Sequence, residues 1–190
     1  MTKNQFKNPN PNPSPNPDLS PSLQLILGGA RSGKSAYGER LAKDSELPVL
    51  YVATAQAFDD EMRARIKQHQ ADRPDHWGSI EVSCELPQIL LENSRSDNLI
   101  LVDCLTLWLM NVMYEQKDIE QSVDELLQAL SQVPGRVIMV SNEITMGVVP
   151  MGKESRLYVD ELGRLHQRIA QAAQQVTLMV AGIPMAVKGA

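Results

Sequence analysis

Residues 23–35 read Leu23-Gln-Leu-Ile-Leu27-Gly28-Gly29-Ala30-Arg31-Ser32-Gly33-Lys34-Ser35. An apolar run of strand length passes directly into G-x-x-x-x-G-K-[ST], and the stretch Lys34 to Asp44 then reads as a helix. Glycines at both ends let the backbone curl so that successive N–H groups face inward, and the helix that follows turns its positive end towards the same point. Strand, loop and helix in that order predict a phosphate-binding loop. Lys34 is placed to neutralise β/γ-phosphates, and the Ser35 hydroxyl is a hard oxygen ligand of the kind Mg²⁺ prefers.

The segments that follow alternate in the same manner. Residues 48–53 form a β-rich buried run, and residues 59–70 a helix with acids in its first turn and bases later, as the helix dipole favours. A short strand is expected over 79–82, a short helix over 86–93 and a strand over 98–103. One or two helices are expected over 105–132, a strand over 136–141, a long helix over 155–174, a strand over 175–181 and a short tail at 185–188. This spacing predicts an α/β protein with a mostly parallel sheet and helices on both faces.

The 190 residues suit one globular domain, with 43% apolar residues to fill a core and a formal net charge of −5 that draws neither nucleic acid nor an anionic membrane. Six of the 12 prolines, from Pro9 to Pro21, precede the first strand and alternate largely with asparagine. Residues 1–22 therefore read as a disordered tail and 23–190 as the nucleotide-binding domain. Two cysteines without metal-type spacing, and apolar runs well short of the roughly 20 residues of a spanning helix, predict a cytoplasmic chain without membrane insertion or a signal peptide.

In an open α/β sheet the carboxyl ends of the strands line the ligand crevice, so the residues at those ends are the candidates for chemistry. Asp103 ends the run Leu99-Ile-Leu-Val and is a second Mg²⁺-linked acid or a cap for the next helix. Thr54-Ala-Gln56 and Ser141-Asn-Glu143 reach the crevice or supply turn chemistry. His69 shares a helix face with Arg65 and Asp72, as an ordinary surface histidine or as a nucleophile towards phosphorus. Arg73, beside the helix-breaking Pro74, can reach an anion. Trp77 packs or stacks on a base, and Glu81 accepts from a base or ribose or is solvated.

Taken together, these blocks resemble the bifunctional adenosylcobinamide kinase / adenosylcobinamide-phosphate guanylyltransferase family of cobalamin biosynthesis. The matching residues are the loop 28–35, Tyr51-Val-Ala-Thr-Ala-Gln56, Asp59-Asp-Glu-Met62 with Arg65, Ile66 and His69, and Arg73-Pro74 with Trp77. They continue with Val102-Asp-Cys-Leu-Thr-Leu-Trp108 and Asn111, Ser141-Asn-Glu143, Gly147-Val-Val-Pro150 and Val180-Ala-Gly-Ile-Pro184. The resemblance implies a RecA-like P-loop NTPase fold and two reactions. A nucleoside triphosphate, ATP or GTP, phosphorylates adenosylcobinamide, and GMP is then transferred from GTP to that phosphate through a guanylylated histidine, which maps to His69.

By the same resemblance, His69 and Lys34 are catalytic. The nucleotide contacts map to Gly28, Gly29, Ala30, Arg31, Ser32, Gly33, Lys34, Ser35, Ala53, Thr54, Ala55, Gln70, Ala71, Asp72, Arg73, Glu81 and Asp103, with Mg²⁺ at Ser35 and Asp103. The corrinoid and its phosphate are the implied partners, along with copies of the chain itself in a homo-oligomer, a trimer. Three positions depart from the pattern: Thr145 replaces a usual glycine, Val159 a usual arginine and His166 a usual asparagine. Rival readings are a monofunctional P-loop kinase, a RecA-like ATPase and a nucleotide-binding regulator. His69 within its motif opposes the first, and the acidic balance opposes a nucleic-acid-stimulated motor.

Overall fold

Seven strands form one sheet, and their order places the five that end in candidate functional residues side by side. The computed structural model describes residues 22–55 and 74–189. Its elements are β1 (Ser22–Gly28), α1 (Lys34–Asp44), β2 (Val49–Ala53), β3 (Gly78–Glu81), α2 (Leu86–Asn93) and β4 (Leu99–Asp103). They continue with α3 (Leu105–Tyr114), α4 (Ile119–Gln132), β5 (Arg136–Asn142), α5 (Lys153–Ala172), β6 (Gln175–Val180) and β7 (Ile183–Lys188). The strand order is β3-β2-β4-β5-β1-β6-β7, with every pair parallel except β6 and β7. The expected helix over 59–70 lies outside the described residues.

Buried Val, Ile and Leu runs make the central strands apolar on both faces, as a parallel sheet covered by helices requires. One face packs Ile26, Tyr51, Leu101 and Val140 with Ala42 of α1. The other packs Leu25, Val52, Ile100 and Met139 with residues of α2 to α5, including Leu90, Trp108, Leu126 and Leu162. On α5 the buried residues Leu162, Leu165, His166 and Ile169 form a stripe at helical spacing, so a histidine takes part in the apolar face. Trp108 is fully buried, and its Nε1–H donates to the Cys84 carbonyl at 3.1 Å.

Residues 105–132 form two helices rather than one. Gln116 takes φ 55° between them, and Asp118 caps α4 by accepting from Gln121 N at 2.9 Å. The carboxyl terminus differs more from expectation, because the residues read as a short tail belong to a strand, β7, antiparallel to β6. Ala181 at φ 51° and Gly182 at φ 81° form a two-residue turn whose twist matches the flanking strands. Lys188 fastens the far end by donating to the carbonyls of Ala170 and Gln171, each at 2.9 Å, where α5 leaves acceptors unpaired.

Replacing Trp108 by alanine removes a large core side chain and leaves the Cys84 carbonyl without its donor. Denaturant unfolding is expected to show a loss of about 3–5 kcal/mol. A loss below about 1 kcal/mol would contradict this account of the core.

Candidate active site at the carboxyl ends of the strands

The chain leaves β1 at Gly28 and re-enters regular structure at Lys34, so the whole loop is five residues long. Arg31 at φ 56° and Gly33 at φ 92° supply the left-handed turns, and Gly33 stands at the helix N-cap. Ser32 N–H donates to the Gly29 carbonyl at 3.2 Å, and Gly182 N–H from the β6–β7 turn donates to the Ser32 carbonyl at 3.0 Å. The hairpin that the sequence did not disclose therefore buttresses this loop. Gly28 leaves no room for a side chain, since a Cβ there would lie 2.5 Å from Ser32 Oγ and 2.8 Å from the Met179 carbonyl.

Lys34 is buried, and its Nζ donates back across the loop to the Gly29 carbonyl at 2.9 Å. Desolvation lowers its pKa, and the Asp103 carboxylate and Cys104 oppose that shift. Ser32 Oγ is buried without a hydrogen-bond partner. An orphaned hydroxyl and a buried ammonium within one loop are groups that a phosphate oxygen satisfies.

Asp103 lies at the end of β4, on the face shared with Leu99 and Leu101 and hence towards α1. Its Oδ2 accepts from the Tyr51 hydroxyl at 3.0 Å. Asp103 does not cap α3, because Cys104 occupies the N-cap position and no side-chain cap bond forms there. Burial and the neighbouring Asp103 push the Cys104 thiol up to about 11, so it remains protonated. Across the strand ends, Ala53 pairs with Glu81 on one side and Asp103 on the other, which sets the three in a row. Glu81 is exposed, and Trp77 packs against the core on the α1 side with Lys43 Nζ 6.0 Å from its ring.

Thr54 is fully buried, and its hydroxyl donates to the Cys104 carbonyl at 2.7 Å and accepts from Cys104 N–H at 2.9 Å. Asn111 adds donation to the carbonyls of Thr54 at 2.9 Å and Ser83 at 3.3 Å. These bonds lock the ends of β2 and β4 together beneath Ala55. Gln56, Arg65, His69, Gln70, Ala71, Asp72 and Arg73, the nucleophile candidate and its neighbours, lie outside the described residues.

A second polar cluster lies beyond β5. Ser141 Oγ is 2.7 Å from His166 Nε2 and 3.1 Å from Thr106 Oγ1, and Thr106 Oγ1 accepts from Asn142 N–H at 2.7 Å. His166 Nδ1 faces Glu143 Oε2 at 3.6 Å, with both side chains more than nine-tenths buried. Glu143 N–H donates to the Gly28 carbonyl at 2.8 Å, joining the cluster to the phosphate loop. Thr145 has no need of a glycine conformation, since its φ is negative and its N–H and hydroxyl each donate to Glu143 Oε1 at 2.5 Å. Val159 is half-buried on α5.

Tyr51, Thr106 and the 181–182 turn are participants that the sequence reading placed in matching blocks but gave no role. Strand alternation signals the first, because Tyr51 shares a face with Ala53 and that residue is in register with Asp103.

A profile described as cobinamide kinase / cobinamide phosphate guanyltransferase matches residues 24–187, nearly the whole described chain. The chain belongs to this family. The bifunctional adenosylcobalamin biosynthesis protein CobP of Pseudomonas aeruginosa is 51% identical over 167 residues, covering 87% of this chain and 96% of that protein. The Escherichia coli protein of the same description, CobU, is 35% identical over 179 residues, covering 86% and 98%.

Solved structures add the fold alone. The flagellar accessory protein FlaH of Methanocaldococcus jannaschii gives TM-score 0.51 at 15% identity, covering 88% of this chain and 78% of its own. An ATPase of a bacterial type III secretion system gives 0.54 at 8% identity, covering 83% and 50%. These likenesses show the fold, the expected mostly parallel sheet with helices on both faces. Among the described residues no helix is long and apolar enough to cross a membrane.

Burial lowers the pKa of His166 below its ordinary 6.5, and Glu143 only partly opposes this. Above pH 6.5 folded and unfolded chains hold equal protons here, and as pH falls through 6.5 towards the lower folded value the unfolded chain gains one first. The His166 contribution to stability is thus complete above that window and lost within it. Urea unfolding between pH 7.5 and 5 should show a steeper decline for the unmodified protein than for His166→Asn. Parallel declines would contradict a buried neutral histidine.

Proposed function

We propose that this protein phosphorylates adenosylcobinamide with a nucleoside triphosphate and then converts the product to adenosylcobinamide-GDP, using GTP and a histidine intermediate. The observation that carries the reading is its 51% identity, over nearly the full length of the relative, to a protein described as bifunctional in adenosylcobalamin biosynthesis. Residues 23–190 serve as the catalytic domain, preceded by a tail, and act in the cytoplasm as a homo-oligomer.

For phosphoryl transfer, the backbone of Gly28, Gly29, Ala30, Arg31, Ser32 and Gly33 holds the phosphates, and Lys34 gives up its bond to Gly29 for a phosphate oxygen. Ala53, Thr54, Ala55 and Glu81 border the nucleoside, Thr54 through its backbone because its hydroxyl is committed to Cys104. The Ser35 hydroxyl and the Asp103 carboxylate are a hard-oxygen donor pair that suits Mg²⁺. No group of three or more His, Cys, Asp or Glu residues competes for a metal among the described residues. When bound, Mg²⁺ supplies charge neutralisation on the phosphates.

For guanylyl transfer, a neutral nitrogen of His69 attacks the α-phosphorus of GTP. A nitrogen–phosphorus bond forms as the bond to the β-phosphate oxygen breaks, and pyrophosphate leaves with the electron pair. The phosphate of adenosylcobinamide phosphate then attacks the same phosphorus, breaking the bond to His69 and freeing the imidazole. Gln70, Ala71, Asp72 and Arg73 follow His69 directly, and Arg73 brings a cation to the charge that develops on the phosphates.

Incubation with GTP and Mg²⁺ followed by intact-mass measurement under alkaline conditions is expected to show a GMP-sized adduct. The adduct should map to His69, be absent in His69→Ala and be discharged by adenosylcobinamide phosphate. Folded protein that binds GTP and forms no adduct would overturn the covalent route and favour a monofunctional kinase.

A further inference from the structure

The segment 144–151 between β5 and α5 combines two properties that rarely occur together. Its side chains are apolar and turned to solvent: Met146 is 75% exposed, Val148 96%, Val149 73% and Met151 97%, with Ile144 and Leu157 exposed beside them. Its stems are nonetheless held in place. At the start Glu143 takes both hydrogen bonds from Thr145, and at the end Arg156 of α5 donates to the carbonyls of Pro150 and Met151. The nine residues from Ile144 to Gly152 carry no charge. Apolar area kept in water costs free energy in proportion to its extent, and a contiguous exposed patch of this kind is characteristic of a binding surface.

Its place in the fold selects the occupant. Strand β5 lies between β1, which delivers the phosphate loop, and β4, which delivers Asp103. Glu143, the residue that starts the segment, is bonded to Gly28 of that loop at 2.8 Å. An acceptor whose hydroxyl attacks a phosphate held at residues 28–35 must keep the rest of its body over the neighbouring rim. For a phosphate-transfer crevice lined by polar groups, a large body with apolar faces needs an apolar platform next to the crevice and outside it. A second copy of the chain has a better-suited surface elsewhere, since β7 leaves an open strand edge with Ile183, Met185 and Val187 exposed.

We propose that Met146, Val148, Val149 and Met151 form the platform on which the corrin macrocycle of the acceptor rests, with Glu143 and Arg156 as positioning residues that hold the platform against the phosphate loop. This assignment rests on the function proposed above. Both substrates of the two reactions carry the same macrocycle, so one platform serves both steps.

The test measures equilibrium binding of adenosylcobinamide to full-length protein carrying Val148→Glu and Met151→Glu, with Val148→Ser and Met151→Ser as milder variants. Because these side chains are almost wholly exposed, the substitutions leave the fold intact. The expected result is a corrinoid Kd raised about tenfold or more by the glutamates and less by the serines. Nucleotide Kd should stay within about twofold of unmodified protein, and the molar mass by light scattering should not change. A corrinoid Kd unchanged within about twofold would overturn the assignment, as would a reduced molar mass, which would make the segment a contact between copies of the chain. If unmodified protein bound no adenosylcobinamide, the proposed function itself would fall, and this inference with it.

Discussion

The close approach of backbone at Gly28 is the constraint on which the rest of the site depends. Met179 of β6, Ser32 of the loop and Glu143 beyond β5 all meet this residue, and the first two leave no space for a Cβ. The strand therefore ends where the loop can begin to curl, Gly33 absorbs the left-handed turn, and α1 starts with Lys34 aimed back over the loop. A side chain at position 28 would push the loop away from both flanking strands. The three strands and the phosphate loop are one mechanical unit.

The two faces of the sheet divide the work. Towards α1 lie Lys34, Asp103 and Tyr51, whose hydroxyl fixes one carboxylate oxygen and so the orientation of the other. Towards α3 and α5 lie Thr106, Ser141 and His166, a buried polar cluster whose members are bonded to each other except at His166 Nδ1. This second cluster props the end of β5 from behind, and through Glu143 it reaches Gly28. Unmet polar atoms in the interior are costly, and the unpartnered Ser32 Oγ inside the loop marks a place that a phosphate oxygen would satisfy.

Much of this was legible in the amino-acid order because local rules and the global fold agree. The strand before Gly28 and the helix after Gly33 follow from hydrophobic pattern and glycine placement, and the carboxylate at Asp103 follows from where an apolar strand stops. Asp103 was named from a strand end, Glu81 from a short strand and Ala53 from the family resemblance, and the register sets them in one row. What stayed hidden depends on tertiary pairing. Residues 185–188 look like a polar-ended remnant until the 181–182 turn folds them onto β6, and that turn then reaches Ser32. Thr54 reads as a ligand contact by position, yet its hydroxyl is taken by Cys104, fifty residues away in sequence. Thr145 and His166 stand out in the sequence only as departures from the family pattern, and in the structure each makes a hydrogen bond, one to Glu143 and one to Ser141.

A crystal structure of the protein with Mg²⁺ and a non-hydrolysable GTP analogue tests the central claim most directly. The account predicts the phosphates inside residues 28–35, Lys34 Nζ released from the Gly29 carbonyl to a phosphate oxygen, Ser32 Oγ satisfied, and the metal between Ser35 and Asp103. Phosphates bound elsewhere, with Lys34 still donating to Gly29, would contradict it.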